Sequence, residues 1–111
     1  MEKNNKRIQL GSYYSKDYKL ISGRTNGIDK RKDWKLEELE KDNNIETIIF
    51  EVPEYISTIT SSFILGLVGI YISDYGKEEF YKKYRFETKN ESIINNIETA
   101  VQYVLTEIGG I

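Results

Sequence analysis

The chain contains no cysteine and no histidine. Without thiols it has no disulfide framework, no thiolate zinc site and no sulfur nucleophile. Without imidazole there is no Ser-His-Asp triad, no histidine metal ligand and no imidazole base working near neutral pH. Long apolar runs are also missing. The longest, from Phe63 to Ile72, falls short of the roughly 20 residues that cross a bilayer and reads as a core helix. No sign of charge dominates, because 16 basic and 18 acidic residues are interspersed and leave a formal charge of -2. That balance gives no basic surplus for nucleic acid and no acidic tail, so nucleic acid is not an expected partner. The charged lead over 1–7 has no apolar segment behind it, so no signal peptide is read and a cytoplasmic location is expected, with no membrane contact.

What remains for chemistry is carboxylate, lysine, tyrosine and hydroxyl. The carboxylates form no pair that suggests acid–base work, and Glu78 and Glu79 read as a solvated face. The expectation is a non-enzymatic protein with no cofactor and no metal site. A serine enzyme using Ser61 or Ser62 with a lysine base is the weakest of the readings. At 111 residues the chain reads as one domain over 1–111, large enough to bury roughly two-thirds of its unfolded surface.

Hydropathy periodicity and turn residues set out the elements. A short strand is expected over 6–10, a turn over 13–17, and a second strand over 18–21 returning on the first as a hairpin. Gly23, Asn26 and Gly27 mark 22–27 as a loop. A peripheral helix follows over 29–41, with Trp34, Leu36 and Leu39 toward a sheet and a small basic cluster at Lys30, Arg31 and Lys32 that could touch a phosphate. The segment 45–52 alternates, then becomes continuously apolar at Ile48, Ile49 and Phe50. That pattern suits a central strand covered on both faces, and Pro53 ends it. A helix should run from Ser61 to about Tyr75. Gly66 and Gly69 weaken it by roughly 1 kcal/mol each and should gain a close approach to the sheet in exchange. Gly76 breaks or kinks the chain, 77–83 adds polar helical turns, and 84–88 alternates as a strand.

The last helix has the clearest pattern. Ile93, Ile94, Ile97, Ala100, Val101, Val104, Leu105 and Ile108 follow the i, i+3, i+4 rule, and Gly109 and Gly110 end the run. Thr88 and Glu91 have capping-box spacing, with Asn90 as the other candidate cap. The order β-β-α-β-α-β-α predicts an α/β sandwich, a small mixed β-sheet with packed helices.

The hydroxyl run before the central helix, between a buried strand and a buried helix, forms a strand-to-helix corner. Thr60, Ser61, Ser62 and Phe63, then Gly66, then Tyr75, Gly76, Lys77, Glu78, Glu79 and Phe80 resemble the STAS-like domain family of unknown function. The order of elements is similar to the wider STAS fold of sulfate-transporter tails and anti-sigma-factor antagonists. Ser22, Gly23, Arg24, Asn26 and Gly27 look like a shortened form of that family's glycine-bearing loop, and the likeness covers 8–104. This chain departs from the pattern in three places. Thr60 stands where phosphorylation-switched members carry Asp, Ile64 and Leu65 stand where acidic residues are usual, and the strand ends in Glu51, Val52 and Pro53 rather than in Asp-Gly-type residues.

The resemblance implies a non-enzymatic interaction domain of a partner-switching pair. In the antagonist branch a histidine-kinase-like ATPase phosphorylates the first serine of the pair, which maps to Ser61, with Ser62 and Thr60 beside it at the partner surface. Read from the residues alone, Ser61 or Ser62 is equally a plain helix cap. Tyr81, Tyr84 and Arg24 are further candidates for a partner surface, whereas Tyr71 and Tyr103 read as core or core edge and Trp34 as packing on the sheet. The glycine-bearing loop lacks the Gly-Lys-Thr of a phosphate loop, so nucleotide binding is not expected. The alternative function class is a small phage- or mobile-element-encoded inhibitor or accessory factor that binds a host defence complex. Homodimerisation through an edge strand or the apolar helix stays open.

Overall fold

The structure is a computed structural model that describes residues 4–109, with side-chain surroundings given for 4–107. Its elements are β1 (Asn4–Gln9), a 3-10 turn (Leu10–Ser12), β2 (Leu20–Ile21), α1 (Arg24–Asp33), α2 (Leu36–Lys41), β3 (Ile45–Glu51), β4 (Thr58–Ile59), α3 (Ser61–Lys83), β5 (Tyr84–Glu87) and α4 (Glu91–Gly109). The α/β class expected from the sequence is the one that forms. The strands divide into a three-stranded sheet in the order β1-β3-β5 and a two-stranded sheet β2-β4, with every pairing parallel.

The expected hairpin between the first two strands does not form. β1 pairs with β3, and β2 pairs with β4. A turn over 13–17 cannot by itself choose between a hairpin and a crossover. The choice falls to β3, whose Ile48 and Phe50 are fully buried and gain more from central placement than β2, whose Leu20 stays exposed.

β3 is central, as its composition predicts, but its two faces are covered differently. On one face Phe50 lies against Trp34, Phe86 and Tyr84, with ring centroids 5.6, 4.9 and 5.9 Å away. α3 and the α1–α2 region pack on this side, and Ile8, in register with Phe50, extends it into β1. On the other face Ile49, fully buried, sits in register between Arg7 and Arg85. There Arg7 reaches Glu51 at 3.4 Å and Glu87 at 3.1 Å, and Arg85 reaches Glu87 at 3.6 Å, all half open to solvent. Such exposed pairs add little to stability, because solvent and salt screen them. The fold is therefore a two-layer one, and its shortest dimension, 24 Å, matches one sheet plus one layer of helices.

Two expected elements change character. The predicted loop 22–27 is mostly helix, since α1 begins at Arg24 and holds Gly27 in its interior. The single helix over 29–41 is two helices, separated where Lys35 takes a left-handed φ of 54°. Trp34 closes the first and is buried on the sheet, as expected of it. The break at Gly76 is present, with φ 89° and ψ 173° inside α3.

The reason for Gly27 lies in α3. A Cβ built on Gly27 would stand 2.1 Å from the Phe63 carbonyl oxygen, and one built on Gly66 would stand 2.0 Å from the Arg24 carbonyl oxygen. The two helices cross backbone to backbone at these glycines. Gly66 thus gains the close approach its helix cost requires, but against α1 rather than the sheet. Gly69, expected to do the same, has only ordinary contacts near 4 Å around its Cβ direction. At the start of α4 the cap is Asn90, whose side chain accepts from the N–H groups of Ser92 and Ile93 at 2.9 and 3.3 Å. Ile93, Ile97, Ala100, Val101 and Val104 bury the expected stripe, while Ile94 faces solvent. The side chain of Ile108, and the glycine stop at 110, lie outside the described residues.

These glycines make opposite predictions. Gly27→Ala or Gly66→Ala forces the helices apart and should cost about 3 kcal/mol or more. Gly69→Ala should instead stabilise by about 0.5–1 kcal/mol through helix propensity. Urea unfolding midpoints of the three variants check both signs.

Candidate functional site

The hydroxyl corner is built by two parallel strand-to-helix units lying side by side. β2 leads through Ser22 and Gly23 into α1, and β4 leads through Thr60 into α3. The Thr60 N–H donates to the Ile21 carbonyl at 2.9 Å, which carries the β2-β4 pairing up to the helix starts. On its other side β4 is held by α4, where Asn90 Nδ2 donates to the Ser57 carbonyl at 2.8 Å and Asn96 Nδ2 to the Ile59 carbonyl at 3.0 Å. Both helices therefore begin at one end of the molecule, fixed by hydrogen bonds below and by the glycine crossing one turn further on.

Within the corner the hydroxyls have separate tasks. Thr60 is the N-cap of α3, and its Oγ1 accepts from the Phe63 N–H at 3.2 Å. The same oxygen lies 3.0 Å from Ser62 Oγ. Neither serine is the cap, because Thr60 has the extended backbone a cap requires, with φ -73° and ψ 154°. Ser61, the first helical residue, is half-buried and makes no side-chain hydrogen bond among the described residues. Across from it α1 starts at Gly23, whose φ of 98° suits glycine, and Asn26 Nδ2 ties back to the Ser22 carbonyl at 2.8 Å. Neither α1 nor α3 carries an acidic residue in its first turn, so neither positive dipole end is locally neutralised.

A shallow groove of mixed character continues from this end between α1, α3 and α4. Ile28, Leu65, Ile70 and Tyr103 give it an apolar part, and Arg24, Arg31, Ser73 and Glu107 line it as polar groups. Ile70 is 59% exposed and Tyr103 47%. Tyr103, expected in the core or at its edge, is turned away from the buried stripe by its position on α4. Ile64 is fully buried, while Leu65 lies part-buried in the groove. Of the sequence candidates, Thr60, Ser61, Ser62 and Arg24 come together at this end. Tyr81, 45% exposed, lies apart, in a second groove between α4 and β5.

Tyr84 is not a surface residue. It is 2% exposed because β5 places it on the helix-covered face beside Phe50. Its hydroxyl donates to Glu40 Oε2. Glu40 also takes both guanidinium nitrogens of Arg31, at 2.7 and 2.9 Å, and Arg31 Nη1 donates in addition to the Leu67 carbonyl at 2.9 Å. This knot joins α1, α2, α3 and β5. It also withdraws Arg31 from the basic cluster that could have met a phosphate. Burial disfavours the Arg31 charge, and the hydrogen bond and charge of Glu40 more than offset this, so the guanidinium holds its proton more firmly than usual. Burial, then the adjacent Glu40 charge, push the Tyr84 hydroxyl well above the ordinary tyrosine value. The knot had no periodic signal in the sequence, because its members come from separate elements and only folding brings them together.

Among the described residues no group of three or more His, Cys, Asp or Glu side chains is placed to hold a metal ion, and no helix is long and apolar enough to cross a membrane. Compared with family models, with curated proteins and with solved structures, the chain matches none.

Two measurements follow from this geometry. Thr60→Ala should cost about 1 kcal/mol by removing the cap, whereas Ser61→Ala should stay within about 0.5 kcal/mol of the parent; chemical unfolding of both variants checks the assignment. For Tyr84 the sign follows from the raised folded-state value. Above about pH 10 the unfolded chain releases a tyrosine proton that the folded chain keeps, so stability is full below that pH and falls as pH rises. Tyr84→Phe should cost about 1.5 kcal/mol at neutral pH by removing a hydrogen bond to a charged group. Thermal melts from pH 8 to 11, at roughly one-unit steps across the tyrosine range, should then show a shallower alkaline decline than the parent, with Tyr14, Tyr71 and Tyr81 supplying the remainder.

Proposed function

We propose that the chain is a non-enzymatic, STAS-like protein-interaction module whose partner surface is the paired corner and the groove leading from it, switched by phosphorylation of Ser61. The observation that carries this reading is the division of labour between hydroxyls. Thr60 performs the capping, which leaves Ser61 unbonded at the first position of α3. A phosphoryl group there adds roughly -1.5 to -2 charge. The adjoining helix starts, free of acidic residues, stabilise that charge through their unpaired N–H groups and dipoles. A partner seated on Leu65, Ile28, Ile70 and Tyr103 meets a new, strongly hydrated anion at its margin and is released. The partner class that fits the resemblance is a histidine-kinase-like ATPase, which would both bind the corner and modify it.

The exposed apolar part of the groove also supports a second reading, constitutive binding to a host protein by a phage- or mobile-element-encoded inhibitor. Apolar burial at Ile70 and Tyr103 needs no charge switch. Pull-downs from host lysate with the parent, Ser61→Asp and Ser61→Ala proteins, followed by intact-mass measurement of each bait, separate the readings. The switch predicts a prey protein retained by Ser61→Ala and lost at least about tenfold on Ser61→Asp, with a bait species about 80 Da heavier. A prey held equally by all three, on an unmodified bait, supports the inhibitor reading and removes the switch.

A further inference from the structure

The three-stranded sheet ends in two unlike edges. β1 is guarded: Asn4, Asn5, Lys6, Arg7 and Gln9 are exposed along it, and its register slips between Asn4 and Asn5. Charge and irregularity of this kind discourage further pairing. β5 is short and also carries charge, at Arg85 and Glu87, but its register is unbroken and its two charges are of opposite sign. The Val52 N–H donates to the Glu87 carbonyl, so Glu87 turns its main chain toward β3. By strand alternation Phe86 turns its N–H and C=O outward. The Tyr84 C=O points out likewise, its N–H being spent on the Phe80 carbonyl. Beside this edge runs the groove of about 400 Å³ lined by Tyr81, Phe86, Ile94, Ile97 and Val101, with Ile94 40% exposed.

We propose that the protein forms a two-fold symmetric dimer by antiparallel pairing of β5 with β5 of a second copy, centred on Phe86. The register is self-complementary in both main chain and charge. Phe86 of one copy exchanges both of its outward hydrogen bonds with Phe86 of the other. The Tyr84 carbonyl accepts from the Thr88 N–H of the second copy, an N–H with no main-chain partner among the described residues of the single chain. Arg85 then stands opposite Glu87 of the second copy, and Glu87 opposite Arg85, on the face away from the helices. Opposite charges placed directly across a strand pair are favourable, and like charges there are unfavourable. On the helix side Ile94 and Tyr81 gain cover across the dyad. The three-stranded sheet becomes a continuous six-stranded one, and the surface used is distinct from the hydroxyl corner, so this inference does not depend on the proposed switch.

The charge pattern supplies the test. Arg85→Glu places carboxylate against carboxylate across the dyad, and Glu87→Arg places guanidinium against guanidinium. Mixing the two variants restores opposite charges at both positions. Sedimentation velocity over a concentration series about the micromolar dissociation constant expected of so short a pairing, with circular dichroism to verify folding, gives the readout. The expected result is a dimeric parent, each single variant monomeric with association weakened at least about tenfold, and an equimolar mixture that is dimeric again. A parent that stays monomeric overturns the proposal, and so does a dimer that persists in Arg85→Glu. Folded variants whose mixture remains monomeric overturn it as well. If either single variant fails to fold, the double exchange Arg85→Glu/Glu87→Arg takes its place; a folded monomer there counts against the pairing and a dimer counts for it.

Discussion

At Gly27 and Gly66 helices α1 and α3 cross main chain to main chain, and the neighbouring elements take their places from that crossing. Side chains larger than hydrogen at either position would overlap a carbonyl oxygen of the facing helix. Because both are glycine, α1 and α3 approach until their main chains touch. That approach fixes where Arg31, one turn beyond Gly27, meets the Leu67 carbonyl, and it fixes how closely the starts of the two helices lie. Two glycines in helix interiors cost roughly 2 kcal/mol together. The burial of Phe63, Ile64, Leu67 and Val68 on the same helix, at about 1.5–3 kcal/mol each, exceeds that cost several-fold.

The Arg31–Glu40–Tyr84 knot follows from the same crossing. A mostly buried ion pair is weak evidence of net stability, since desolvation offsets most of its attraction. Its effect is on specificity of arrangement. Glu40 has both carboxylate oxygens engaged, by a guanidinium from α1 and a hydroxyl from β5. An arrangement with α2 displaced would leave a buried charge without partners, at a cost of about 3–5 kcal/mol. The break at Lys35 becomes intelligible in this light. Without a turn after Trp34 the chain could not bring Glu40 back toward Arg31, only nine positions earlier.

The sequence made the central strand, the kink at Gly76 and the buried stripe of α4 legible, because each rests on local periodicity or on a backbone residue that acts alone. Ile48, Ile49 and Phe50 read as a central strand before any partner is known, and Ile93, Ile97 and Val101 read as a helix face. Strand pairing was not legible, since β1 and β2 carry too few apolar residues to show which neighbour they select. Gly27 was misread for a physical reason. A glycine beside Asn26 signals a turn when considered locally, and only the facing Gly66, 39 residues on, reveals it as a helix contact. Tyr84 was misplaced because alternation in a four-residue strand tells which residues share a face but not which face is covered. Of the corner, the residue types were legible and their roles were not. Thr60, one of the three departures from the resembled pattern, is the residue that holds the cap and leaves Ser61 out of it.

The rigidity of the corner bears on how any modification there would act. A charge added to a loosely held loop reorganises it. Here the helix starts are tied by the Thr60–Ile21 hydrogen bond, by Asn90 and Asn96 from α4, and by main-chain contact at the glycines. Moving α3 relative to α1 would require separating main chains packed at the glycines, and that packing opposes rearrangement by the charge-assisted hydrogen bonds of an added phosphoryl group, worth about 1.5–3 kcal/mol each. A phosphoryl group on Ser61 would therefore alter what the surface presents and leave the fold unmoved. On the proposed reading, switching would then be a matter of charge and hydration at the rim of the groove, with the apolar surface formed by Leu65, Ile28 and Ile70 the same in both states.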